Sequence, residues 1–116
     1  MTPLQEKTYQ LLKNVPRGRV TTYKALAQAL HSKGYRAIGQ FLRNNPYSFE
    51  ACPDPSADGR RVPCHRVVAS DGTIGGFMGA KSGKNIQKKI ALLRSEGIRI
   101  INNRVGDFRH VLFTFS

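Results

Sequence analysis

Two apolar stripes at helical spacing, Ala25, Leu26, Ala29 and Leu30 in one and Ile38, Phe41 and Leu42 in the other, are separated by the turn residues Ser32-Lys33-Gly34. Apolar side chains recurring every three to four positions mark helices that bury one face, so two short helices meet here across about three residues. Thr21 or Thr22 caps the first, which ends near His31, and the second runs from Arg36 to Asn44. The pairing is a helix-turn-helix signature, although an ordinary helical hairpin shares it. Charge favours the DNA-binding form: nineteen Lys and Arg against seven Asp and Glu leave the 116-residue chain at +12. Ala37 and Gly39 on the second helix would let its backbone approach a partner closely.

So basic a chain has an acidic polymer as its natural partner, and binding dominated by phosphate contacts is salt-sensitive and weakly sequence-specific. An anionic membrane surface and simple solubility are the competing explanations of charge alone. The basic residues are spread along the chain rather than gathered on one amphipathic helix, which favours nucleic acid over a membrane. No run approaches the roughly 20 apolar residues of a membrane span. Met1-Thr2-Pro3-Leu4-Gln5 carries no secretory pattern, so the expected address is cytoplasmic (nucleoid) or nuclear.

Thr2-Pro3-Leu4-Gln5 reads as a capping box opening a helix to about Asn14, with Leu4, Thr8, Leu11, Leu12 and Val15 on one face. Residues 47–62, rich in Pro, Gly and acids, read as an inserted surface loop. Arg66 to Ala69 suits a short strand and Ser70-Asp71-Gly72 a turn. A helix from Ser82 or Gly83 to Glu96 turns Ile86, Ile90 and Leu93 inward and stops at Gly97. Ile98–Ile101 and Val111–Phe115 read as the arms of a terminal hairpin, joined through Asn102-Asn103 and Gly106-Asp107. The expected fold is mainly α with a small β component: a single winged helix-turn-helix-like domain over residues 1–116, with a C-terminal β-hairpin in 98–116.

The chemistry concentrates at Val62-Pro63-Cys64-His65-Arg66-Val67-Val68, where a thiol adjoins an imidazole and a guanidinium behind a proline that pins the backbone. Nearby positive groups favour thiolate, the nucleophilic form. A lone cysteine is more often a small buried apolar group, so the pair alone leaves both readings open. Cys64 is expected to be a free thiol. Zinc is disfavoured, because Cys52, His31 and His110 stand at no ligand spacing to Cys64 and His65. No metal and no cofactor is expected.

Pro63-Cys64-His65-Arg66-Val67 resembles the active-site motif of the O6-alkylguanine-DNA alkyltransferases, the methylated-DNA protein-cysteine methyltransferases. The resemblance continues through Thr22-Tyr23, Tyr35-Arg36-Ala37, Asn44-Asn45-Pro46, Gly75-Gly76-Phe77-Met78-Gly79 and Leu92 to Gly97, covering about residues 2–97 with one interruption. It implies DNA repair by direct reversal: minor-groove binding to duplex DNA, flipping of an O6-alkylguanine, and irreversible transfer of the alkyl group to Cys64. By the same resemblance Arg36 fills the vacated base stack and Tyr23 presses on the neighbouring phosphate. Asn45 braces the turn carrying Cys64, His65 acts as base through a bridging water, and Glu96 orients it. Pro63, Val67, Phe77 and Met78 line the substrate pocket, and main chain near Cys64, Val67 and Met78 reads the guanine edge.

Two features depart from the family's pattern. Phe77 replaces a tyrosine whose hydroxyl helps the leaving guanine take a proton, and the inserted loop carries Cys52, a stray thiol or a redox partner of Cys64. In size and tail the chain is nearer the alkyltransferase-like proteins, which bind alkylated DNA without repairing it, recruit nucleotide-excision-repair proteins, and typically carry tryptophan where this chain has Cys64. That lesion sensor is the alternative reading, and a helix-turn-helix regulator is a third. The expected assembly is a monomer on damaged duplex DNA, with no membrane partner.

Overall fold

Proline opens helix α1 (Pro3–Leu12), at a position whose N–H would have no helical partner anyway. The computed structural model describes residues 3–31, 35–43, 45, 61–75 and 83–115, so the Thr2 cap lies outside the described residues. Thr8, Leu12 and Val15 are buried along the expected face. Regular helix stops at Leu12 rather than near Asn14, because the N–H groups of Asn14 and Val15 bond to carbonyls three residues back, tightening the last turn.

Thr21–Thr22 is strand β1, and Thr22 also caps α2 (Tyr23–Ala29): its extended backbone (φ −125°, ψ 158°) lets Oγ1 accept the Ala25 N–H at 3.0 Å. Past α2, His31 takes a left-handed φ of 52°. Helix α3 (Tyr35–Arg43) buries Ile38 and Leu42 as its spacing predicts. The Tyr9 hydroxyl on α1 donates to the Phe41 carbonyl at 2.6 Å, fixing α3 against α1. The turn residues 32–34, Asn44, Pro46 and most of the inserted loop (47–60) lie outside the described residues.

After a single 3-10 turn (Cys64–Arg66), strand β2 (Val67–Val68) pairs with β1 in parallel, Thr21 opposite Val67 and Thr22 opposite Val68. Nothing local announces this pairing across more than forty residues, yet it sets the start of α2 beside the Cys64 turn. Leu112 continues the arrangement through a parallel bridge to Val20.

Helix α4 (Lys84–Ser95) begins just after Gly83 and ends in a Schellman arrangement. The Ile98 N–H bonds to the Leu93 carbonyl and the Gly97 N–H to the Arg94 carbonyl, with Gly97 at φ 88°. Leu93 and Ile98 are both buried at this stop, which leaves Glu96 at the cap position.

The terminal hairpin is present, but its arms differ from those expected. Strand β3 (Ile100–Ile101) pairs antiparallel with β4 (Arg104–Val105), whereas Val111–Phe115 supplies no arm. Asn102 and Asn103 both have positive φ (51° and 60°), a two-residue turn of the primed type that reverses the chain at once. Residues Phe108–Val111 then form the short helix α5. The β-rich residues 112–115 follow it as a tail, with Leu112 extended and the Phe113 N–H bonded to the Val20 carbonyl at 2.6 Å. The result is mainly α with a small β component, around a core that includes Leu12, Val20, Leu26, Ile38, Val67 and Leu93.

Candidate active site

Pro63 shapes the turn that presents Cys64. Its φ of −79° and ψ of 66° form an inverse γ-turn, closed by the Cys64 N–H donating to the Val62 carbonyl at 2.8 Å. The proline ring already fixes φ near that value, so little conformational freedom is lost in forming the bend. The 3-10 turn follows without interruption, with the Arg66 N–H bonded to the Pro63 carbonyl and the Val67 N–H to the Cys64 carbonyl. Cys64 is a free cysteine, 5% exposed.

Asn45 reaches the same turn from beyond α3. Its Nδ2 donates to the Val62 carbonyl at 3.1 Å, and its side chain also hydrogen-bonds the Cys64 thiol. Burial pushes the thiol's pKa up, while the Asn45 hydrogen bond and the charge of Lys89 pull against it. This corrects the sequence expectation that neighbouring positive groups favour the thiolate: burial dominates, and the cation acting on the sulfur comes from α4. The guanidinium next in sequence is engaged elsewhere.

Arg66 donates from Nε (2.9 Å) and Nη2 (2.6 Å) to the two oxygens of Glu96, and from Nη1 to the Val15 carbonyl at 2.9 Å. His65, fully buried, places Nε2 3.0 Å from Glu96 Oε2. Burial would raise the Glu96 carboxyl, but hydrogen bonds from His65 and Arg66, with the Arg66 charge, hold it at about 2. An ionised carboxylate only accepts, so the His65 hydrogen sits on Nε2 and its Nδ1 is the basic nitrogen. Burial lowers the His65 pKa, the Arg66 and Lys89 charges add to that, and Glu96 opposes it. The imidazole is therefore neutral and able to take a proton.

Tyr23, the first residue of α2, is half-buried. Its pKa is raised by burial and then by the charge of Cys64, which places the two side chains in one electrostatic environment. A Cβ on Gly75 (φ 74°) would lie 3.9 Å from the Tyr23 hydroxyl, so the backbone passes close to that ring. Pro63 and Val67 are buried at the turn. Arg36 is exposed in the first turn of α3, with partly buried Ala37 and Gly39 following. Phe77 and Met78 lie outside the described residues, as does Cys52. Among the described residues no group of three His, Cys, Asp or Glu side chains could hold a metal ion, and no helix is long and apolar enough to cross a membrane.

Sequence reasoning assigned Lys89 no role. It is fully buried in α4 and donates from Nζ to the Val67 carbonyl at 2.7 Å and the Ile74 carbonyl at 2.6 Å. Burial lowers its pKa to about 7 despite the supporting charge of Cys64. The available signal was its place in the stripe Ile86-Lys89-Ile90-Leu93, where a lysine occupies a core position.

The site's charges fix the sign of its pH dependence. The Glu96 pKa is depressed by folding, so its contribution is full above the unfolded carboxyl value (about 4.3) and is lost as pH falls toward about 2. The lowered His65 pKa acts in the same direction, beginning below its unfolded value of about 6.5. Glu96→Gln is expected to cost on the order of 3 kcal/mol at pH 7. Urea unfolding should show that difference shrinking by pH 3; parallel stability curves for the two proteins would contradict the assignment.

The family model described as 6-O-methylguanine DNA methyltransferase, DNA binding domain, matches residues 3–98. A methylated-DNA--protein-cysteine methyltransferase of Thermococcus kodakarensis is 41% identical over 100 residues, covering 85% of this chain and 47% of that protein. The crystal structure of an O6-methylguanine-DNA methyltransferase from Pyrococcus kodakaraensis KOD1 superposes with TM-score 0.62 at 40% identity, over 84% of this chain and 47% of that one. S. pombe Atl1, in complex with damaged DNA containing O6-carboxymethylguanine, superposes with TM-score 0.71 at 22% identity, over 99% and 98% of the two chains, a likeness of fold. The chain spans half or less of the curated relatives it matches. On its sequence match over 3–98 and its shared fold, the chain belongs to the 6-O-methylguanine DNA methyltransferase DNA-binding-domain family.

Proposed function

We propose that this protein binds duplex DNA, flips an O6-alkylguanine and takes the alkyl group irreversibly onto Cys64. The observation that carries the reading is a buried thiol on a tight turn, hydrogen-bonded by Asn45 and followed directly by a neutral His65 held on Glu96. His65 takes the thiol proton through a bridging water, since adjacent side chains rarely face each other. The thiolate attacks the alkyl carbon, an S–C bond forms as the C–O6 bond breaks, and guanine leaves with the electron pair and takes up a proton. Phe77 offers no hydroxyl for that proton, so water supplies it. The product is a thioether, and each chain acts once.

Arg36, exposed at the start of α3, is suited to fill the vacated base stack, and Tyr23 beside Cys64 to press on the flanking phosphate. By the family resemblance, Pro63, Val67, Phe77 and Met78 are assigned to the substrate pocket; of these Pro63 and Val67 are buried at the Cys64 turn. Glu96 acts on His65, not on the substrate. A monomer at an intracellular address suits this partner. The second reading, lesion binding followed by recruitment of nucleotide-excision-repair proteins, is favoured by Phe77; Cys64 weighs against it.

Intact-protein mass spectrometry after incubation with duplex DNA containing O6-methylguanine tests the proposal. One added methyl group, mapped to Cys64 and absent in Cys64→Ser, supports transfer; tight lesion binding with no mass change favours the sensor.

Gly39 offers a separate test of the DNA face. A Cβ there would meet nothing within 4 Å among the described residues, so their packing does not require glycine, which costs a helix interior roughly 0.5–1 kcal/mol relative to alanine. Close approach of DNA would require it. Gly39→Leu is expected to leave thermal stability unchanged or raised while weakening duplex binding at least about tenfold in fluorescence anisotropy, roughly 1.4 kcal/mol. Undiminished binding would remove α3 from the interface.

A further inference from the structure

Residues 99–115 follow the stretch matched by the family model (3–98), yet they hold both of the strands that meet beside Tyr23. On one side the tail pairs with the strand that runs into Tyr23. The Val20 N–H donates to the Val111 carbonyl at 2.8 Å and the Phe113 N–H to the Val20 carbonyl at 2.6 Å. The exposed Arg19 side chain adds bonds to the Val111 and Leu112 carbonyls at 3.3 and 3.2 Å. Val20 is fully buried and leads directly into β1, the Thr22 cap and Tyr23.

On the other side the β3–β4 hairpin pairs with the strand that runs into Gly75. The Val105 N–H donates to the Gly72 carbonyl and the Ile74 N–H to the Asn103 carbonyl, both at 2.9 Å, with Thr73 bridged to Arg104. Helix α5 closes over this contact: a Cβ on Gly72 (φ 89°) would stand 3.3 Å from the Phe108 ring. The two strands then converge, since a Cβ on Gly75 would stand 3.7 Å from a ring carbon of Tyr23. Strands β1 and β2 pair over only two residues, too short a ladder to hold that relation by itself.

We propose that residues 99–115 are a clamp that positions Tyr23 against Gly75 for base extrusion: one continuous segment grips both strands, so that neither shifts without the other. The inference rests on the reading of Tyr23 as the side chain that presses on the phosphate beside a flipped guanine. Such a clamp matters where a base has to be turned out of the duplex and held, and not for a free base that already lies outside DNA.

Phe113→Pro tests it, because it removes the N–H that bonds to Val20, and Leu112 before it is extended (φ −69°, ψ 127°), a conformation that a following proline accepts. Phe113→Leu keeps the N–H and is the control. Alkylation of Cys64 is followed by intact mass with duplex DNA containing O6-methylguanine and with O6-methylguanine as the free base. The proline variant should react about tenfold more slowly with the duplex and within about twofold of wild type with the free base, while Phe113→Leu keeps both rates. Equal losses on the two substrates, or an undiminished duplex rate, overturn the proposal. A wild-type chain that takes no methyl group from the duplex is failure of the transfer reading, and where wild type is inert to either substrate 19F NMR of the fluorotyrosine-labelled chain decides on the clamp alone. The Tyr23 resonance, identified by its loss in Tyr23→Phe, should shift in Phe113→Pro and not in Phe113→Leu; an unmoved resonance overturns the proposal. Should the proline variant not fold, Arg19→Gln takes its place in both measurements, since it removes the bonds to the Val111 and Leu112 carbonyls from an exposed position.

Discussion

Arg66 and Glu96 form the ion pair on which the site's geometry depends. The guanidinium occupies both carboxylate oxygens and spends its remaining reach on the Val15 carbonyl, joining the end of α1, the Cys64 turn and the end of α4. Breaking such a buried pair costs about 3–5 kcal/mol, because the surviving charge is left without water or partner. The Schellman stop of α4 is part of the same construction: Gly97 and Ile98 turn the chain away and leave Glu96 at the cap, aimed at the turn instead of at solvent. A carboxylate at that end of a helix is disfavoured by the helix dipole, and the two donors opposite it offset the penalty.

From this ion pair the properties of the neighbouring groups follow in order. Glu96 is held ionised, so it accepts from His65 and fixes the ring and its tautomer. Arg66 neutralises Glu96, and with burial this keeps His65 uncharged although a carboxylate lies 3.0 Å away. A neutral imidazole is what the proposed removal of a proton from this buried thiol requires. The arrangement thus separates two tasks. Glu96 and Arg66 settle the state of His65, while Asn45 and the inverse γ-turn at Pro63 settle the place of the sulfur.

Much of the fold was legible locally. The Thr22 cap, the Pro3 start and the Gly97 stop are short-range chemistry, and the buried faces of α1, α3 and α4 follow from spacing. The hairpin arms were misplaced because composition was weighed over turn geometry: two left-handed asparagines reverse the chain too soon for Val111–Phe115 to serve as the return strand. The β1–β2 pairing was not legible, since parallel register across a long separation is set by packing. At the site, the motif named Cys64, His65, Asn45 and Glu96, and they do converge. What the motif could not convey was burial, and burial is what overrides the expected influence of neighbouring positive groups on the thiol.

The state of His65 tests this account most directly, because the proposed removal of the Cys64 proton starts from a neutral ring with its hydrogen on Nε2. Long-range 15N–1H NMR of the imidazole, recorded from pH 8 down to pH 5, reads both nitrogens. The account predicts a protonated Nε2 and an unprotonated Nδ1 at neutral pH, with titration only below the ordinary histidine value of about 6.5. An imidazolium at pH 7, or a hydrogen on Nδ1 with Nε2 bare, would contradict it.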